Sequence, residues 1–150
     1  MILSTPYSDI FNLFLASIQD YRINKLYNQS VEQMENYLMP FLIKAITNFR
    51  KCKTDLEDRD DTNKVFNQTL STDEKVILSN LMMVEWLTKE VNDILQMRLY
   101  LQDTDFKTYS QANNLREKRE LLTTMKEMVD KQIVQYSYNN FDWSKLERRG

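Results

Sequence analysis

Apolar residues recur every three to four positions over most of this chain, and polar stretches separate the runs. Thr5 followed by Pro6 predicts an N-cap and a first helical residue, after which Ile10, Phe11, Phe14, Leu15 and Ile18 share one face of a short amphipathic helix. The rhythm weakens from Asp20 to Asn28, where Tyr21, Ile23 and Leu26 predict a brief strand or an extended connector.

Ser30 and Gln33 have capping-box spacing, and Met34, Leu38, Phe41, Leu42, Ala45, Ile46 and Phe49 then carry a helix to about Arg50. Pro40 lies inside that pattern and removes a backbone donor, so the helix is expected to kink there. From Lys53 to Gln68 the apolar rhythm stops and Asp55, Glu57, Asp58, Asp60 and Asp61 accumulate, which reads as a solvated loop. Ser71 and Glu74 form the clearest capping box. They open a long helix to about Leu101 through Ile77, Leu78, Leu81, Met82, Leu87, Val91, Ile94 and Leu95. Its first half is apolar nearly all round, as expected of a central helix covered on several sides. A fourth helix starts near Ser110 and carries Leu115, Leu122, Met125, Val129, Ile133 and Tyr136 to about Ser137. The expected fold is all-α: a bundle of about four helices, residues 1–137, with one long central helix and an extended C-terminal arm, residues 138–150.

Composition then narrows the chemistry. With 150 residues, one domain is the default, and 42% hydrophobic residues suffice for a core. The single glycine is Gly150, so no glycine-rich phosphate loop can form. Histidine is absent and Cys52 is the only cysteine, which removes the usual zinc sites, nucleophile–histidine pairs and any disulfide framework. No cofactor or metal is expected. Met1 to Ile10 lacks a secretory pattern and no uncharged run has the length of a membrane span, so synthesis in the cytoplasm is expected. A net charge of −2 gives no global field for sequence-independent DNA binding.

Three features remain as candidates for function. Glu85 falls within Leu-Met-Met-Val-Glu-Trp-Leu; a structural pair or an edge position is favoured over a catalytic acid, because no second carboxylate stands at useful spacing. The methionines read as core filling rather than a binding groove. The final segment interleaves Tyr138, Phe141 and Trp143 with Lys145, Arg148 and Arg149, residue types that carry interface energy. It reads either as a contact arm or as a tail packed on its own domain.

Leu3-Ser4-Thr5-Pro6-Tyr7, the block from Leu70-Ser71-Thr72-Asp73-Glu74 through Glu85-Trp86-Leu87, and Asp105-Phe106-Lys107 with Ser110-Gln111-Ala112-Asn113 together resemble the neck proteins of tailed bacteriophages, of the head-to-tail adaptor kind. The resemblance implies a structural virion protein without catalytic residues. It would assemble as a homo-oligomeric ring of about a dozen copies beneath the portal protein, extend the DNA channel without reading sequence, and offer a platform to the next neck or tail component. It also implies a terminal arm that docks on the portal or a neighbouring subunit, matching Tyr138 to Arg149. The acidic loop Asp55 to Asp61 is then the candidate channel-facing surface, where negative charge keeps DNA from adhering. The alternative is a small helical nucleic-acid-binding or regulatory protein using the basic tail and the fourth helix, and an enzyme working through Glu85 has least support.

Overall fold

The computed structural model describes residues 4–18, 20–100 and 109–141, and the side chains of 21, 98–100 and 109–113 lie outside that description. Among the described residues there are five helices and a small sheet: β1 (Thr5–Pro6), α1 (Tyr7–Ala16), α2 (Tyr21–Gln29), α3 (Val31–Asn48), β2 (Arg59–Asp60), β3 (Val65–Phe66), α4 (Thr72–Tyr100) and α5 (Tyr109–Asn139). The helical bundle around one long central helix is as expected, and α4 is that helix, with α1, α3 and α5 packed on it.

Three expectations are corrected. Thr5 is not the N-cap and Pro6 is not the first helical residue; both pair antiparallel with Val65 and Phe66, Pro6 takes the N-cap position without a side-chain bond, and α1 begins at Tyr7. The Thr5 hydroxyl donates to the Gln68 carbonyl at 3.0 Å and accepts from Leu70 N–H at 2.9 Å, so it serves the distant chain instead of the helix end. Asp20 to Asn28 is a helix rather than a strand. The Asp20 side chain accepts from Arg22 and Ile23 N–H, which satisfies two donors that open the helix, and Ile23 is buried against the bundle.

The third correction concerns Lys53 to Gln68, which is an ordered hairpin as well as a polar loop. Its strands complete a three-stranded sheet of order β1-β3-β2. Leu56 and Phe66 are buried, and the Phe66 ring lies 4.8 Å from that of Tyr7. Each such side chain removed from water contributes about 1.5–3 kcal/mol, so two apolar residues anchor an otherwise hydrophilic segment. The turn is made without glycine: Lys64 takes a left-handed φ of 57°, and its carbonyl accepts from Tyr7 N–H at 2.9 Å. Meanwhile α3 continues unbroken from Val31 to Asn48 through Pro40, and Ser30 caps it through Gln33 N–H.

The packing of α5 on α4 follows two heptad series. On α4, Ile77, Asn80, Val84, Leu87, Val91 and Ile94 are spaced alternately by three and four; on α5, Leu115, Lys118, Leu122, Met125, Val129, Gln132 and Tyr136 are too. Asn80 bonds Gln132 at 2.9 Å and Glu90 pairs with Lys118 at 2.8 Å, so one helix descends as the other rises. Mean spacing of 3.5 keeps both seams facing each other over several turns. Beyond the main core, Val91, Ile94 and Leu115 form a separate cluster with Leu95 and Leu122. Met34, Met82 and Met83 fill core as expected, but Met97 and Met128 are exposed.

Candidate functional site

Tyr138 occupies the last turn of α5 and Phe141 follows it, exposed by 61% and 49%. Trp143, Lys145, Arg148 and Arg149 lie outside the described residues. Val134, itself 63% exposed, precedes Tyr138 by four positions, so the two share a side of α5 roughly opposite Tyr136, which is buried. A polar helix face would suit water at these positions; an apolar one is characteristic of a contact surface.

The five acidic residues of the hairpin are occupied in building it. Asp55 accepts from Glu57 N–H, and Asp60 accepts from Thr62 and Asn63 N–H. Asp58 takes hydrogen bonds from the side chains of Asn67 and Gln68, which hold its carboxyl below the usual range. Hydrogen bonds from Asn63 do the same for Asp60. Arg59 stands between Glu57 and Asp61 at 3.0 and 3.1 Å, and Asp61 also accepts the Tyr7 hydroxyl. Among the described residues no group of three or more carboxylates and thiols is arranged to hold a metal ion.

Glu85 is half-buried at the edge of α4, where Asn48 donates to it at 3.0 Å. It lines a groove of about 470 Å³ between α3 and α4, with Tyr37, Pro40, Phe41, Lys44 and Thr88.

The most concentrated polar chemistry lies elsewhere, around Glu74. This carboxylate is 4% exposed and serves as more than the capping partner of Ser71. One oxygen accepts from Ser71 N–H at 2.8 Å and from the Thr54 hydroxyl at 2.9 Å. The other accepts from the Tyr136 hydroxyl at 2.8 Å, the Cys52 thiol at 3.2 Å and Thr54 N–H at 3.3 Å. The Tyr136 oxygen in turn accepts from Lys53 N–H at 2.7 Å. Burial pushes the Glu74 carboxyl up, but the donors from Ser71, Tyr136, Cys52 and Thr54 together outweigh it and hold the group below its usual value. Burial, then the bond to Glu74, pushes the Cys52 thiol up to about 12, and burial likewise raises the Tyr136 phenol.

The hydrogen bonds and the direction of these shifts agree on a structural role. A thiol that far up is not a thiolate at neutral pH and therefore not a nucleophile. A carboxylate saturated by donors has neither a proton to give nor a free lone pair to receive one. Glu74 is thus a structural junction tying the N-terminus of α4, the segment after α3 and the end of α5. The capping box was legible from Ser71 and Glu74 alone; Cys52, Thr54 and Tyr136 had no local signal to place them there.

A second junction lies further along α4. The Asp20 carboxylate that caps α2 also accepts from Trp86 Nε1 at 2.9 Å. Arg22 pairs with Glu90, which Lys118 engages from α5 at 2.8 Å. Three helices are thereby linked through charge and an indole, with Lys118 6.0 Å from the Trp86 ring centre.

Compared with known proteins, the chain matches no family model, no curated protein and no solved structure.

Proposed function

We propose that this chain is a non-catalytic assembly protein, a head-to-tail adaptor of the kind found in the neck of tailed bacteriophages. In this reading it forms a ring beneath the portal, extends the DNA channel and receives the next neck or tail component. The observation that carries the assembly role is the exposed series Val134, Tyr138 and Phe141 at the end of α5, leading toward Trp143 and the basic residues Lys145, Arg148 and Arg149. Aromatic and arginine residues grouped in this way supply anchors for a protein partner.

The saturation of Glu74 and the protonated Cys52 thiol favour assembly over catalysis at this cluster. On the exposed side of α5, Glu117, Arg119, Glu120, Lys126, Glu127 and Lys131 mix both signs of charge, which suits a protein surface better than a DNA-binding stripe. In this reading the acidic hairpin faces the channel, a role that suits carboxylates lying largely at the surface while they hold the turn.

The test is to purify source particles on a density gradient and quantify the chain by mass spectrometry. About a dozen copies per particle are expected of a closed ring. Absence from particles, together with salt-sensitive retention of the pure protein on DNA, would replace this reading with the nucleic-acid-binding one.

A further inference from the structure

We infer that α5 bears a self-complementary face through which two copies of this chain pair antiparallel about a two-fold axis. Besides the seam turned to α4, α5 carries a second series spaced alternately by four and three: Glu117, Leu121, Thr124, Met128, Lys131 and Gln135. All six are exposed, Leu121 by 43% and Met128 by 38%. Their mean spacing of 3.5 is that of a helix-pairing seam, with apolar residues near the centre and charge toward the ends. Neither Glu117 nor Lys131 has an ion-pair partner among the described residues.

The order of charges selects both occupant and direction. Thr124 stands midway, with Glu117 seven positions before it and Lys131 seven after. A second copy laid parallel would oppose Glu117 to Glu117 and Lys131 to Lys131. Laid antiparallel about Thr124, the same copy brings Glu117 opposite the partner's Lys131 and Leu121 beside the partner's Met128, twice by symmetry. Glu120 and Glu127 flank this stripe and face one another across the axis, a repulsion that Lys131, four positions after Glu127, partly offsets. Two apolar side chains per copy make a contact smaller than the roughly 1,200 Å² of a stable interface, so the pairing should be weak and populated only at high concentration.

This pairing does not depend on the adaptor reading. A closed ring is built from heterologous contacts, so its repeat must use other surfaces, such as the end of α5.

The experiment is sedimentation equilibrium of the full chain from about 10 µM to about 1 mM at low salt, with helicity checked for each variant. Reversible dimerisation is expected. Glu117→Lys and Lys131→Glu should each weaken it by about tenfold, and the double reversal should restore it, because the pair is regained with its signs exchanged. Thr124→Cys should cross-link to itself under mild oxidation, whereas Arg119→Cys, on the far side of the helix, should not. A monomer at every concentration, dimerisation indifferent to both single reversals, or a double reversal no better than either single would each overturn the proposal.

Discussion

The Tyr136 hydroxyl donates to Glu74 at 2.8 Å across 62 positions of sequence and simultaneously accepts from Lys53 N–H at 2.7 Å. One phenol thus closes the end of α5 onto the start of α4 and onto the segment leaving α3, while its ring meets Phe49 edge-on with centroids 5.2 Å apart. The ring supplies packing and the hydroxyl supplies direction.

Tyr136→Phe separates these contributions. The ring contact with Phe49 is kept, but Lys53 N–H loses its acceptor and Glu74 one of its donors. A cost of about 1–3 kcal/mol is expected, appearing as a lower urea midpoint at unchanged helicity. A midpoint equal to that of the parent chain would mean that the hydroxyl contributes nothing net.

The same cluster fixes the sign of the pH dependence. Glu74 is depressed below its ordinary 4.5, so its contribution is present above that value and is lost as pH falls through the folded-state value. Cys52 and Tyr136 are raised from 9.0 and 10.0; their contribution is present below those values and is lost as pH rises toward the folded-state ones. Unfolding midpoints should therefore be flat from about pH 5 to about pH 8 and fall on both sides. Glu74→Gln should shallow the acid limb, and Cys52→Ala the alkaline one.

How much of this was legible in the sequence depends on the range of the interaction concerned. The Ser71–Glu74 box and the apolar series of α3, α4 and α5 are local patterns, and their helices lie where the patterns put them. Asp20 was legible as a cap in principle, yet the weak apolar rhythm of Asp20 to Asn28 outweighed it, because α2 buries little beyond Ile23. The sheet was not legible: Thr5–Pro6 and Val65–Phe66 are two-residue strands whose pairing is non-local, and Lys64 turns the chain without the expected glycine. Of the proposed contact residues, Tyr138 and Phe141 are exposed, whereas the acidic residues serve the hairpin's own hydrogen bonds.

Asn80 and Gln132 give a further prediction, since they form a polar layer within the heptad seam of α4 and α5. Asn80→Ala should cost about 1 kcal/mol by leaving the Gln132 amide without its partner. Replacing both by Leu should instead raise stability by about 1–2 kcal/mol, at the expense of the polar mark that holds the two helices in register. Opposite signs for the single and double variants in urea titrations are the outcome to look for; two losses of equal size would show that the layer does not act as a pair.

Lys64 provides the last test, because its backbone is the one described position outside the ordinary negative-φ regions. For a residue with a Cβ the left-handed conformation costs about 1–2 kcal/mol, whereas glycine adopts it freely. Glycine also makes the unfolded chain more flexible, which returns about 0.4–1 kcal/mol of that gain. Lys64→Gly should therefore stabilise the chain by up to about 1 kcal/mol, and Lys64→Val, with its branched Cβ, should destabilise it. The Tyr7 N–H bond to the Lys64 carbonyl requires this turn, so amide exchange at Tyr7 should slow in the glycine variant and quicken in the valine one. A destabilised glycine variant would mean that the Lys64 side chain matters more to the turn than its backbone angle does.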